Sequence, residues 1–175
     1  MKWDKYYLDI CKVVAKNSKC LSRKIGAILV KDKSIISTGY NGPSRGLPHC
    51  NERYELNIDN ELRALLIDKG IDPDECDKNI CPRYALGFKS GEGLQCCLAS
   101  HSERNCILNA AKHGICTNNS TLYLNTNVPC KDCLLEIINA GIKEVVCTDI
   151  SFYDELSKFI VNNSELEIRT FKGVF

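Results

Sequence analysis

TLYLNTNVPCKDCLLEIINAGIKEVVCT, residues 121–148, decides the fold of this chain. Thr121 to Asn125 alternates as a half-buried strand does. Residues 131–140 read as a helix that stops at Gly141, and Glu144 to Thr148 reads as the next strand. Strand, helix, strand is a βαβ unit, and such units build α/β layers.

The pattern extends in both directions. Downstream, 153–162 reads as a helix and 165–171 as a last strand. Upstream, 102–113 reads as a helix ending at Gly114. At the start of the chain Trp3, Tyr6, Tyr7, Ile10, Val13 and Val14 recur at helical spacing. Ile25 to Val30 is a short apolar run, Lys31-Asp32-Lys33 a tight turn, and Ser34 to Tyr40 a second strand, which together predict a hairpin. Between hairpin and helix lies a long region, about 41–100, with one clear helix over 60–69 carrying Leu62, Leu65 and Leu66 and stopping at Gly70. The rest is rich in Gly, Pro, Asp and Cys. A stretch that long inside a domain is functional or needs a staple. The expected order is α-β-β-(insert)-α-β-α-β-α-β. No internal repeat and no low-complexity tail interrupts it.

At 175 residues, one domain over 1–175 is expected, with the insert at about 42–100. Hydrophobic residues make up 44% and charged ones 26%, enough apolar side chain for a sizeable core. The formal net charge is +1. A dedicated nucleic-acid binder carries a basic face, so near-neutrality argues against a nucleic-acid partner. Lys2, Asp4 and Lys5 open the chain with no apolar export core. No apolar stretch approaches the roughly 20 residues of a membrane span. A cytoplasmic protein with no membrane partner is expected. Its twelve cysteines then point to metal or catalysis more than to disulfides. Cys11, Cys106, Cys116 and Cys147 sit in apolar patterns and read as core filler.

The chemistry is carried by His101-Ser102-Glu103 and Pro129-Cys130-Lys131-Asp132-Cys133, each preceding a predicted helix. Zinc accepts one histidine nitrogen and two thiolates, and a catalytic site leaves the fourth position to water. Cys-x-x-Cys at a helix start aims two sulfurs at one ion, where free amides favour the thiolates. Pro129 suits the turn into the helix because it has no N–H to satisfy. Zinc lowers the pKa of bound water to about 7, and Glu103 can then carry its proton. His-x-Glu with Pro-Cys-x-x-Cys matches the known signature of zinc nucleobase deaminases.

On these residues the chain resembles the deoxycytidylate (dCMP) deaminase family of the cytidine-deaminase superfamily. The resemblance also takes in Ser18-Lys19-Cys20 with Ile25-Gly26-Ala27-Ile28, Thr38-Gly39-Tyr40-Asn41-Gly42, Gly46-Leu47-Pro48-His49-Cys50 and Asn139-Ala140-Gly141-Ile142. It implies a three-layer cytidine-deaminase-like fold, a five-stranded mixed sheet flanked by helices, with the cysteine-rich insert added. It implies zinc on His101, Cys130 and Cys133, with Glu103 as proton shuttle and Asn41 on the nucleotide sugar or phosphate. The local alternative for Asn41 is a plain turn asparagine. The implied reaction is dCMP to dUMP plus ammonia, in pyrimidine deoxynucleotide metabolism. Effectors dCTP and dTTP and a homo-oligomer, often a hexamer, are implied by resemblance alone. Two positions depart from the family: Ser102 and Cys106 stand where alanine is usual. Arg104 has no role that can be assigned from sequence.

Cys20, Cys50, Cys76, Cys81, Cys96 and Cys97 remain, with His49 beside Cys50. Some members of the family carry a second, structural zinc, and Cys20, Cys50 and Cys97 match its cysteines by position. The fourth ligand is open among His49, Cys96, Cys81 and Cys76. The alternative is a set of partly buried thiols. For the substrate phosphate, Arg23, Lys24, Lys31, Arg45, Arg53 and Lys131 are candidates, with Arg23 and Arg45 favoured. Ser102 and Tyr153 are further substrate candidates. Phe152 and Tyr153 either stack on the base or face the next helix. Competing readings are dCTP as substrate, a tRNA adenosine or free-nucleoside deaminase, and a non-catalytic zinc or nucleotide-binding module. The last is disfavoured by the presence of Glu103.

Overall fold

The expected hairpin forms as β1 (Gly26–Lys31) and β2 (Ser34–Tyr40), paired antiparallel. Asp32 and Lys33 between them have φ of 50° and 62°. That left-handed pair gives a two-residue turn whose twist matches the strands. Three more strands follow, β3 (Thr121–Leu124), β4 (Glu144–Cys147) and β5 (Glu167–Thr170). The sheet order is β2-β1-β3-β4-β5. β1 pairs antiparallel with β3, and β3, β4 and β5 run parallel. The sheet is therefore five-stranded and mixed, as expected.

The computed structural model describes residues 2–89 and 91–171. Among them the helices are α1 (Lys2–Ala15), α2 (Asn60–Asp68), α3 (Pro82–Ala85), α4 (Ser102–Lys112), α5 (Lys131–Asn139) and α6 (Glu155–Asn162). The chain divides into two compact units. One contains the sheet and runs through residue 18, Ile25–Asn41 and His101 onward; the other contains Lys19–Lys24 and Gly42–Ser100.

In the sheet unit, the period-2 alternation of strands sends side chains to two faces. Ala27, Leu29, Leu122, Leu124, Val145 and Cys147 join Cys106 and Ala110 of α4 and Leu134 and Ile137 of α5 in one core. Ile28, Val30, Tyr123 and Val146 face the other way, onto Tyr7, Leu8 and Cys11 of α1. The result is three layers: α1, the sheet, then α4 to α6. Two glycines permit the closest approaches. A Cβ on Gly26 would overlap the Cys11 carbonyl of α1, and one on Gly39 would overlap the backbone of Ser102 and Cys106 in α4. The α1 layer is also tied by charge. Asp4 accepts from Tyr123 Oη at 2.8 Å and from Arg169 at 3.0 and 3.1 Å, and Arg169 also reaches Glu144 at 2.6 Å. Burial pushes the Asp4 carboxyl up, but the bonds from Arg169 and Tyr123 outweigh it and hold it below its usual range.

The insert unit has a small core of its own, built from Tyr54, Leu62, Leu66 and Leu86. Asp59 caps α2 by accepting the Leu62 N–H at 2.9 Å. Arg53 is buried and spends its guanidinium on Asp59 and the Cys96 carbonyl, both at 2.8 Å. Of the helices here, only α2 was expected from sequence. α3 has four residues, too few for a 3.6-residue period to show. One core expectation is corrected. Cys11, Cys106 and Cys147 are fully buried, but Cys116 is exposed, because it lies in the loop that leaves α4 past Gly114.

Candidate metal centre

α4 leads into β3, and β3 leads into α5, so both helices begin at the carboxyl end of β3, the central strand. His101 is the N-cap of α4 and Cys130 the N-cap of α5, both in extended backbone and neither using its side chain to cap. Pro129, buried, sets up the turn before Cys130. His101 Nδ1 lies 3.4 Å from Cys130 Sγ and 3.4 Å from Cys133 Sγ. The three donor atoms all fall within 4.8 Å of one another, the one such group of three among the described residues.

This donor set fits zinc. Bonds of about 2.0–2.1 Å to nitrogen and 2.3 Å to sulfur at a tetrahedral angle place N and S roughly 3.5 Å apart. His101 is exposed, Cys130 partly buried and Cys133 buried. The group thus opens to solvent on the histidine side, as a site with a free fourth position requires. The thiols are already polarised. Cys130 is pulled well below the usual thiol range, first by a hydrogen bond from Cys133 and then, against its burial, by His101. Cys133 goes up, first because its thiol donates that hydrogen bond to Cys130 and then because it is buried. His101 is raised, chiefly by its bond to Cys130. The free amides of α5 add a positive end that favours the thiolate.

Glu103, at 5% exposure, sits in the first turn of α4 two residues past His101. Its Oε2 accepts a hydrogen bond from Ser102 Oγ at 2.8 Å, and Ser102 has no exposed surface. Arg104, unassigned from sequence, crosses to α5. Its Nε meets both carboxylate oxygens of Glu136 at 2.9 and 3.0 Å, and its second terminal nitrogen lies 2.7 Å from Oε1. The clamp joins the helix that carries His101 to the helix that carries both cysteines. No local spacing signals this pair, because the two residues are 32 apart in the chain.

The other candidates are distributed differently. Asn41 is buried, its Oδ1 accepts the Ile25 N–H at 2.8 Å, and its carbonyl accepts from Ser18 Oγ at 2.7 Å. Tyr153 is exposed at 46%, whereas Phe152 packs against the core. Lys131 is exposed beside Cys130. Arg23, Lys24 and Arg45 are exposed in the insert unit. In that unit, burial pushes the Cys50 thiol up to about 11, helped by the thiols of Cys20, Cys81 and Cys97 around it. His49 Nδ1 is buried with no hydrogen-bond partner. Cys76 and Cys96 instead pack against the small core.

Residues 1–149 match the model of the cytidine and deoxycytidylate deaminase zinc-binding region. The chain belongs to this family. It is 34% identical to the deoxycytidylate deaminase of Schizosaccharomyces pombe over 82% of its own length and 36% of that protein's. To the deoxycytidylate deaminase of Saccharomyces cerevisiae it is 30% identical, over 97% of this chain and 45% of that one. The chain thus spans less than half the length of these two yeast relatives. It is 34% identical to the deoxycytidylate deaminase of Enterobacteria phage T4 over 79% of this chain and 74% of that protein. The dCMP deaminase of cyanophage S-TIM5, solved with dCMP and dUMP, shares the fold at a TM-score of 0.62 over 95% of both chains, with 22% identity. His101, Cys130 and Cys133 all lie within the matched residues.

Proposed function

We propose that this chain is a zinc-dependent hydrolase that converts dCMP to dUMP and ammonia. The observation that carries the reading is the gathering of His101 Nδ1 and two cysteine sulfurs within 4.8 Å, with a buried glutamate two residues from the histidine. Its support in substrate comes from the phage T4 relative, which matches most of both chains and is a deoxycytidylate deaminase.

His101, Cys130 and Cys133 would hold the zinc. When bound, zinc acts as a Lewis acid that makes water a nucleophile at neutral pH. Glu103 would take one proton from the attacking water to the ring nitrogen, and then carry the second, from the new C4 hydroxyl, to the departing amine, leaving a C4 carbonyl. The C4–O bond forms, the C4–N bond breaks, and ammonia leaves. Low exposure keeps the Glu103 carboxylate away from bulk water, so its proton goes to the substrate. Arg23 and Arg45, exposed arginines, are proposed phosphate contacts, since a guanidinium matches two phosphate oxygens. Asn41 and Tyr153 are proposed sugar and base contacts. A cytoplasmic homo-oligomer answering to dCTP and dTTP belongs to the same reading.

A second, structural metal in the insert completes the proposal. Cys20, Cys50 and Cys97 are its proposed ligands. Cys81, beside Cys50, and His49, whose Nδ1 is buried without a partner, compete for the fourth place. Purified protein should release ammonia from dCMP and carry close to two zinc ions per chain. Equal turnover of dCTP would move the substrate reading to the triphosphate. Zinc-loaded protein silent on every cytosine nucleotide would overturn it.

A further inference from the structure

Ser102 stands between His101 and Glu103 at the start of α4. Its hydroxyl is fully buried and donates to Glu103 Oε2 at 2.8 Å. Helix geometry does not bring these two side chains together. Neighbours in a helix diverge by about 100°, and pairs that face each other are three or four apart. The glutamate side chain must fold back along the first turn of α4 to make this bond, so the bond selects one arrangement of a side chain with three rotatable torsions. Both partners are buried, so water does not compete for the hydroxyl.

We propose that Ser102 is a positioning residue for the proton shuttle. Its hydroxyl ties down Oε2 and leaves Oε1 as the oxygen that takes and returns the proton. The assignment rests on the deaminase reading above and sharpens it, since it divides the labour between the two carboxylate oxygens. The backbone groups of α4 that meet Gly39 of β2 include the Ser102 carbonyl, so the serine sits on a part of the helix fixed against the sheet.

The test is Ser102→Ala, which removes one oxygen, adds no bulk and favours the helix. With dCMP as substrate, kcat should fall about tenfold, which corresponds to about 1.4 kcal/mol of barrier. KM and zinc content should stay within twofold of the parent. A dCMP analogue whose ring carries the hydrated, tetrahedral C4 should bind about tenfold more weakly, while dUMP binds as before. In crystals of the variant, Glu103 should spread over more than one rotamer. An unchanged kcat with a single unchanged Glu103 rotamer overturns the assignment. So does a loss in which kcat, KM and zinc content all move together, because that marks a damaged site. The rotamer readout needs no substrate. If the parent protein proves inactive on dCMP, the deaminase reading fails and the crystal result still decides whether Ser102 positions Glu103.

Discussion

The α4–α5 corner and the insert both collect cysteines around a histidine, yet they do so by different means. In the corner, two helix starts set at the carboxyl end of the central strand bring an Nδ1 and two sulfurs within 4.8 Å. The Arg104–Glu136 clamp and a layer of buried aliphatics hold that spacing. In the insert, Cys50 is surrounded by Cys20, Cys81 and Cys97, and a buried His49 nitrogen stands by, but the thiols are not drawn together to the same degree. The corner is pre-organised by secondary structure. The insert has loops and a four-residue core, and a metal there would supply order as much as use it. Chemistry belongs at the first kind of site, where ligands stay put while substrate changes.

The sharpest way to break this contrast is at Glu103. Glu103→Gln should cut ammonia release from dCMP on the order of a thousandfold while leaving zinc content and fold intact. Full activity in this variant would remove the proton shuttle from the account. Next come the two cysteine sets. Cys133→Ala should abolish turnover and remove one zinc by mass spectrometry. Cys50→Ala should also remove one zinc, but keep part of the turnover and lower Tm by roughly 5 °C. Equal catalytic loss from both would erase the distinction drawn here.

Two smaller effects probe rigidity. Gly39→Ala should destabilise by several kcal/mol in urea unfolding, because its Cβ meets α4 backbone that cannot move away. Gly93→Ala, in the insert, has a φ of 63° and meets only the Phe88 ring, so about 1–2 kcal/mol is expected. An effect of similar size, but dependent on pH, lies in α1. The Asp4 carboxyl is held below its usual 3.8. A depressed folded pKa gives stability that is present above 3.8 and lost as pH falls through the lower folded value. Asp4→Asn should therefore cost about 1–2 kcal/mol at pH 7 and little near pH 2. That is less than a fully buried pair would lose, because Arg169 is 37% exposed and screened.

Much of this was legible in the sequence for a physical reason. Strands of period two and helices of period 3.6 write their burial into residue order, so β1 to β5 and the five longer helices could be read from it. The metal group was legible because His-x-Glu and Cys-x-x-Cys are local spacings at helix starts. What stayed hidden was whatever depends on side chains meeting across elements. Arg104 and Glu136 are 32 residues apart in the chain. The bond from Ser102 to Glu103 depends on a rotamer. Cys116 looked like core because Ile115 precedes it, but burial there depends on where the loop after α4 runs. The insert's short core escaped notice because α3 is a single turn.

The central claim is that the α4–α5 corner, alone of the two cysteine regions, does the chemistry. It is tested most directly by measuring ammonia release from dCMP alongside zinc stoichiometry in parent, Cys133→Ala and Cys50→Ala proteins. The account predicts rapid release by the parent, none by Cys133→Ala, and a substantial remainder in Cys50→Ala with one zinc left. Turnover surviving in Cys133→Ala, or vanishing only in Cys50→Ala while the corner keeps its zinc, would contradict it.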